Sequence, residues 1–154
     1  TDQNIVIGGV AGAAPPMIGW AAVTGSVSWP AIAMFMVVVM WTPIHFWSLA
    51  IGTGSDYADA GIPMLSAVRG NRAAARHGAV YAIATALCTI AVPLAGVGGT
   101  GLMVILVALG VWFVARSLAL VADPTPARAW RTFHLSNAYL ACVFVAIGVA
   151  GVLE

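Results

Sequence analysis

WTPIHFWSLAIGTGSDYADAGIPMLSAVRG, residues Trp41 to Gly70, opens the longest polar interruption of an otherwise apolar chain. It gathers two carboxylates (Asp56 and Asp59), a histidine (His45) and an arginine (Arg69) beside long hydrophobic runs. Acidic side chains next to a bilayer are costly and scarce, so such a cluster is a functional candidate by default.

The rest of the chain says that a bilayer is the right setting. Of 154 residues, 62% are hydrophobic and 7% charged, and the mean hydropathy is +1.00. A soluble domain carries about 25% charged residues. The net charge of +1 and the absence of lysine exclude a nucleic-acid surface, which needs clustered basic residues. Cys88 and Cys142 both fall inside apolar runs and read as small hydrophobes, with neither a disulfide nor a metal assigned to them.

Five apolar segments stand out, at about 4–24, 31–51, 78–97, 102–122 and 133–153. Each approaches the roughly 20 residues that a helix needs to cross the hydrocarbon core. They lack the polar face of a soluble amphipathic helix and the short alternation of barrel strands. The predicted fold is all-α: a polytopic transmembrane helix bundle forming a single domain, with polar loops at about 52–77 and 123–132. The second loop is stiffened by Pro124 and Pro126.

All six basic residues fall on one side: Arg69, Arg72 and Arg76 in the first loop, Arg116, Arg128 and Arg131 around the second. The positive-inside rule puts both loops in the cytoplasm. The expectation is a multi-pass protein of the cell (inner or plasma) membrane, with its chemistry facing the cytoplasm and Glu154 on the far side. TDQNIVIGG begins without Met, charged region or cleavage site, so it is no signal peptide. It reads as a cut made just before a helix of a larger protein.

Asp56 and Asp59 are three residues apart and share one face if helical. Two such carboxylates can hold Mg²⁺, which favours oxygen ligands and bridges to substrate phosphates. Arg69, Arg72 and Arg76 can then neutralise a diphosphate. On spacing alone the plainer reading, a solvated charged loop, stands first.

The surrounding residues change that balance. DYADAGIPML together with the upstream WTPIHFW resembles the second aspartate motif of the UbiA family of membrane prenyltransferases, in the form carried by its protohaem IX farnesyltransferase (haem O synthase) branch. NIVIGGVAGAAPPMIGWAAVTG and TFHLSNAYLACVFVAI are similar to two further blocks of that branch, in the same order. The resemblance implies about nine spans around a central cavity, of which this chain supplies the last five. It also implies an enzyme with Mg²⁺ as cofactor and with farnesyl diphosphate and haem B as substrates. The farnesyl group passes to a vinyl group of haem B to give haem O, for terminal oxidases directly or through haem A synthase. The first aspartate motif, of Asn-x-x-x-Asp type, occurs nowhere in these residues, so the chain alone is expected to be inactive.

Carried over by position, Asp56 matches the family acid, which implies a metal or diphosphate–metal ligand. Asp59 stands where the family varies, and Ser55 and Ser66 depart from its pattern. His45 matches the family histidine, as a ligand of haem iron or propionate; the alternative is a hydrogen bond to a neighbouring helix. Tyr57 orients Asp56 or packs at the interface. Trp41 and Trp47 flank His45, so either can line a porphyrin pocket. His134 and Asn137 share a face of the last helix, where they touch substrate or bond between helices. His77 reads as solvated. Two other readings stay open: a family member with an aromatic, quinone-type acceptor, and a non-catalytic membrane subunit or transporter half.

Overall fold

The structure, a computed structural model, describes residues 1–153. Glu154, expected on the side away from the arginines, lies outside the described residues. Those residues form eight helices and no strand: α1 (Asn4–Gly12), α2 (Ala14–Thr24), α3 (Trp29–Gly52), α4 (Asp56–Asp59), α5 (Leu65–Arg69), α6 (Asn71–Leu94), α7 (Gly99–Ala122) and α8 (Pro126–Leu153). Five stretches are long and apolar enough to cross a membrane, with α1 and α2 together making the first. The all-α polytopic bundle expected from the sequence is the observed fold, that of a multi-pass membrane protein.

Local chemistry sets the helix ends. Pro30 and Pro126 sit in the first turns of α3 and α8, where a missing N–H costs nothing. The first span breaks at Ala13, just before Pro15 and Pro16 withdraw two backbone donors. Ala13 is fully buried against Val38 and Val39 of α3. Two helices run further than their apolar cores. α6 starts at Asn71 rather than near 78, and α8 at Pro126 rather than near 133. Their 24 and 28 residues span about 36 and 42 Å at 1.5 Å per residue, against ~30 Å of hydrocarbon. The extra turns carry Arg72, Arg76, Arg128 and Arg131 at one end of the bundle.

Successive spans alternate in direction. The amino terminus, α4, α5 and the α7–α8 turn share the arginine-bearing end. α3 packs against α6 and α8, and α7 against both of these, so the four close into a ring with α1 and α2 against α3. Small residues permit close crossings. A methyl at Gly78 would sit 2.7 Å from Ile44 Cδ1, and one at Gly110 would sit 3.1 Å from Ala86 Cβ. At the centre the rings of Phe113 and Tyr139 stack at 4.2 Å, and the Tyr139 hydroxyl shares a 2.8 Å hydrogen bond with Thr89. Thr42, Ser48, Thr85 and Ser117 each donate to the carbonyl four residues back, so these hydroxyls need no water.

Candidate functional site

The acidic motif folds as a single helical turn held from below. α4 ends in the paired bonds of a glycine-terminated helix: Gly61 N–H donates to the Ala58 carbonyl and Ile62 N–H to the Tyr57 carbonyl. Gly61 adopts φ +70°, the left-handed region that favours glycine. Beyond Pro63, Met64 and Leu65 are buried among Trp47, Ile51 and Ala74. Half-buried Tyr57 packs against the same cluster. Asp56 and Asp59 therefore point outward from a turn anchored on its other side, and both are exposed. Ser55 Oγ donates to Asp59 Oδ2 at 2.8 Å. The Asp56 carboxylate has no hydrogen-bond or ion-pair partner among the described residues.

Two carboxylates one helical turn apart fit Mg²⁺, which commonly takes one or two protein carboxylates and completes its shell with water and substrate phosphate. They do not fit a closed protein cage, because no group of three or more acidic, histidine or cysteine side chains gathers among the described residues.

Arg69 does not stand free beside these acids. Its Nε pairs with Asp2 Oδ2 at 2.6 Å, and the Asp2 side chain is only 13% exposed. Asn4 adds a contact from its amide to Met64 Sδ at 3.6 Å. The first residues of the chain are thereby tied to the segment that follows the acidic turn. The pairing of Asp2 with Arg69 spans too many residues to be read from spacing. Arg72 and Arg76 lie exposed on the first turns of α6.

The histidine lies in a second group, on the seam between α3 and α8. The imidazole of His45 is sandwiched between Trp41 (4.2 Å, 20° between planes) and Phe133 (4.4 Å, 23°). Phe46 meets it edge-on. His45 Nδ1 lies 2.8 Å from Ser136 Oγ, whose own proton goes to the Phe133 carbonyl at 2.7 Å. Ser136 therefore accepts from Nδ1–H, and this tautomer leaves a lone pair on Nε2. Trp41 Nε1 donates to the Ser136 carbonyl at 2.8 Å. Phe133 and Ser136 do not stand out in the sequence, because a serine in an apolar helix carries no signal of its own until its neighbour is known.

The seam continues toward the acidic turn. Trp130 Nε1 donates to the carbonyl of Gly52, four residues before Asp56. Trp130 packs closely against Gly52, where a methyl would lie 3.1 Å from the indole. His134 is exposed and stacks on Trp130 at 6.0 Å, and Asn137 lies exposed one turn further on. Trp47 faces away from His45: it is fully buried and meets Tyr81 and His77 of α6 edge-on. His77 is exposed, with Nδ1 2.9 Å from the Ala73 carbonyl. The structure thus forms two adjoining groups at one end of the bundle: the carboxylate turn with Tyr57, and the aromatic seam with Trp41, His45, His134 and Asn137.

Comparison with known proteins gives a consistent result. The profile of the UbiA prenyltransferase family matches residues 1–148. A protein named protoheme IX farnesyltransferase from Clavibacter michiganensis subsp. michiganensis (strain NCPPB 382) is 44% identical over 97% of this chain and 50% of its own length. Those of the same name from Mycolicibacterium paratuberculosis and Bartonella bacilliformis are each 46% identical, over 97% and 94% of this chain and 49% and 48% of their own. The chain spans about half the length of the curated relatives it matches. No solved structure matches it.

Proposed function

The chain belongs to the UbiA prenyltransferase family, and we propose that the whole protein transfers a farnesyl group from farnesyl diphosphate to a vinyl group of haem B, giving haem O. The observation that carries this reading is the 44–46% identity to relatives named for that reaction, over nearly all of the chain. The acidic turn and the histidine seam, placed together at the arginine-bearing end, support it.

Asp56 and Asp59 would hold Mg²⁺, which when bound draws charge from the leaving diphosphate as a Lewis acid. Arg72 and Arg76 would meet diphosphate oxygens, while Arg69 would order the acidic segment through Asp2. Tyr57 fixes the turn from beneath. The aromatic faces of Trp41 and Phe133 form an apolar wall beside His45. The lone pair of His45 Nε2 is available to haem iron or to a protonated propionate. His134 and Asn137 extend the same surface. As the C–O bond to diphosphate breaks, apolar walls keep water from the allylic cation. The vinyl carbon attacks that cation, and water captures the cation left on the haem side chain. In this reading the site faces the cytoplasm from the inner or plasma membrane, and haem O passes to terminal oxidases directly or through haem A synthase.

The test is to express the full-length reading frame and supply haem B, farnesyl diphosphate and Mg²⁺, following haem O by chromatography and mass. A metal-dependent haem O peak is expected. Intact haem B alongside a prenylated hydroxybenzoate or naphthoate would overturn the acceptor and keep the family.

A further inference from the structure

The remaining arginines gather away from both groups. Arg116 of α7 and Arg128 and Arg131 of α8 line a cleft of about 130 Å³ between these helices, with Ala119, Thr132 and Leu135. Arg128 is engaged, pairing with Asp123 at 3.2 Å and donating to the Ala119 carbonyl. Arg116 and Arg131 are exposed and have no carboxylate partner among the described residues. Arg116 is six residues inside the end of α7, about 9 Å along the axis. A guanidinium at that depth must reach the interface or find an anion.

The same seam is apolar further along. A groove of about 710 Å³ between α7 and α8 is lined by Ile105, Leu109, Val145 and Val149 among others. On α7, Ile105, Leu109, Trp112, Arg116 and Ala119 follow each other at intervals of three or four, so cleft and groove share one helix face. Trp112, 38% exposed, lies between them. A basic cleft above an apolar groove matches an amphiphile with a phosphate head.

We propose that this cleft binds the phosphate of an anionic phospholipid whose acyl chains lie along the α7–α8 groove. A phosphate-bearing substrate shares that chemistry. A phospholipid is favoured because the apolar groove shares the α7 face of the cleft and Asp123, the carboxylate nearest in sequence, is engaged by Arg128. Two unpaired arginines suit an anionic headgroup without a metal.

The test uses delipidated full-length protein in neutral detergent, offered equal phosphatidylglycerol and phosphatidylcholine, with retained lipid counted by mass spectrometry. Wild type should favour phosphatidylglycerol by on the order of tenfold, and the preference should weaken with added salt. Arg116→Gln/Arg131→Gln should abolish the preference, and Arg116→Lys/Arg131→Lys should keep most of it. Equal retention of both lipids by wild type would overturn the proposal, and needs no variant. So would an undiminished preference in the folded glutamine variant. Displacement of phosphatidylglycerol by equimolar farnesyl diphosphate or inorganic pyrophosphate would also overturn it, assigning the cleft to substrate.

Discussion

A double-mutant cycle on His45 and Ser136 tests the seam most directly. Ser136→Ala removes the acceptor of the His45 Nδ1–H and leaves that donor buried, with His45 only 8% exposed. An orphaned buried donor costs about 1–3 kcal/mol. Side-chain bonds between membrane helices have measured lower, about 0.6 on average and up to ~1.7 kcal/mol. The stacked rings at 4.2 and 4.4 Å leave this imidazole little freedom to turn elsewhere, which favours the upper part of that range. His45→Phe keeps an aromatic ring between Trp41 and Phe133 but removes the donor. The double variant should therefore lose about 1 kcal/mol less than the sum of the singles, roughly a fivefold difference in the unfolding constant. The bond from Trp41 to the Ser136 carbonyl is to backbone and survives all three substitutions. The assay is denaturant titration of the full-length protein in mixed micelles, followed by tryptophan fluorescence. Additivity within about 0.3–0.5 kcal/mol would refute the His45–Ser136 hydrogen bond as a stabilising contact between α3 and α8. A functional readout accompanies it: haem affinity should fall in Ser136→Ala while the KM for farnesyl diphosphate stays put.

Three further outcomes are expected. Asp56→Asn in the full-length protein should nearly abolish turnover, as should chelation of the metal, with Mg²⁺ restoring only the wild type; near-normal turnover of the variant would remove Asp56 from the site. Gly78→Leu should destabilise the α3–α6 crossing by about 1–3 kcal/mol, since even its first carbon would lie 2.7 Å from Ile44 Cδ1, and Ile44→Ala should recover part of the loss in a thermal melt. Arg69→Gln should change stability by less than about 1 kcal/mol, because the Arg69 side chain of its pair with Asp2 is 55% exposed; a large rise in the KM for farnesyl diphosphate with stability unchanged would instead give Arg69 a direct diphosphate contact.

The spans were legible because length and uniform apolarity decide them, whereas the helix ends were not. Asn71–His77 reads as polar loop by composition but folds as helix, because a helix satisfies its own backbone and can carry arginines through the headgroup layer. α4 and α5 were illegible as helices: four or five residues do not hold a helix alone, and these depend on Met64, Leu65 and Tyr57 packing against α3 and α6. Trp41 and His45 are four apart, so their shared face was readable. Trp47, two residues past His45, could have been placed opposite it by the same rule. Ser136 and Phe133, some 90 residues away along the chain, became visible only when α8 docked on α3.

The acidic turn permits one more inference about how an exposed site stays ordered. Asp56 and Asp59 make no contact that buries them, so their placement depends on the turn's closure and on what lies beneath it. Closure needs Gly61 at φ +70°, and nothing lies within 4 Å of a methyl built there. The cost of Gly61→Ala is then conformational rather than steric, about 1–2 kcal/mol for a left-handed residue with a side chain. That cost falls on a turn of one helical winding and not on the bundle, whose core lies below. Gly61→Ala should therefore leave the melting temperature of the full-length protein nearly unchanged while lowering turnover and raising the Mg²⁺ concentration needed for half-maximal activity. Gly61→Asn, which tolerates the left-handed region, should retain more activity than Gly61→Ala. If Gly61→Ala turned over like wild type, the carboxylates would not need the closed turn, and their role in holding the metal would have to be assigned to residues elsewhere in the whole protein.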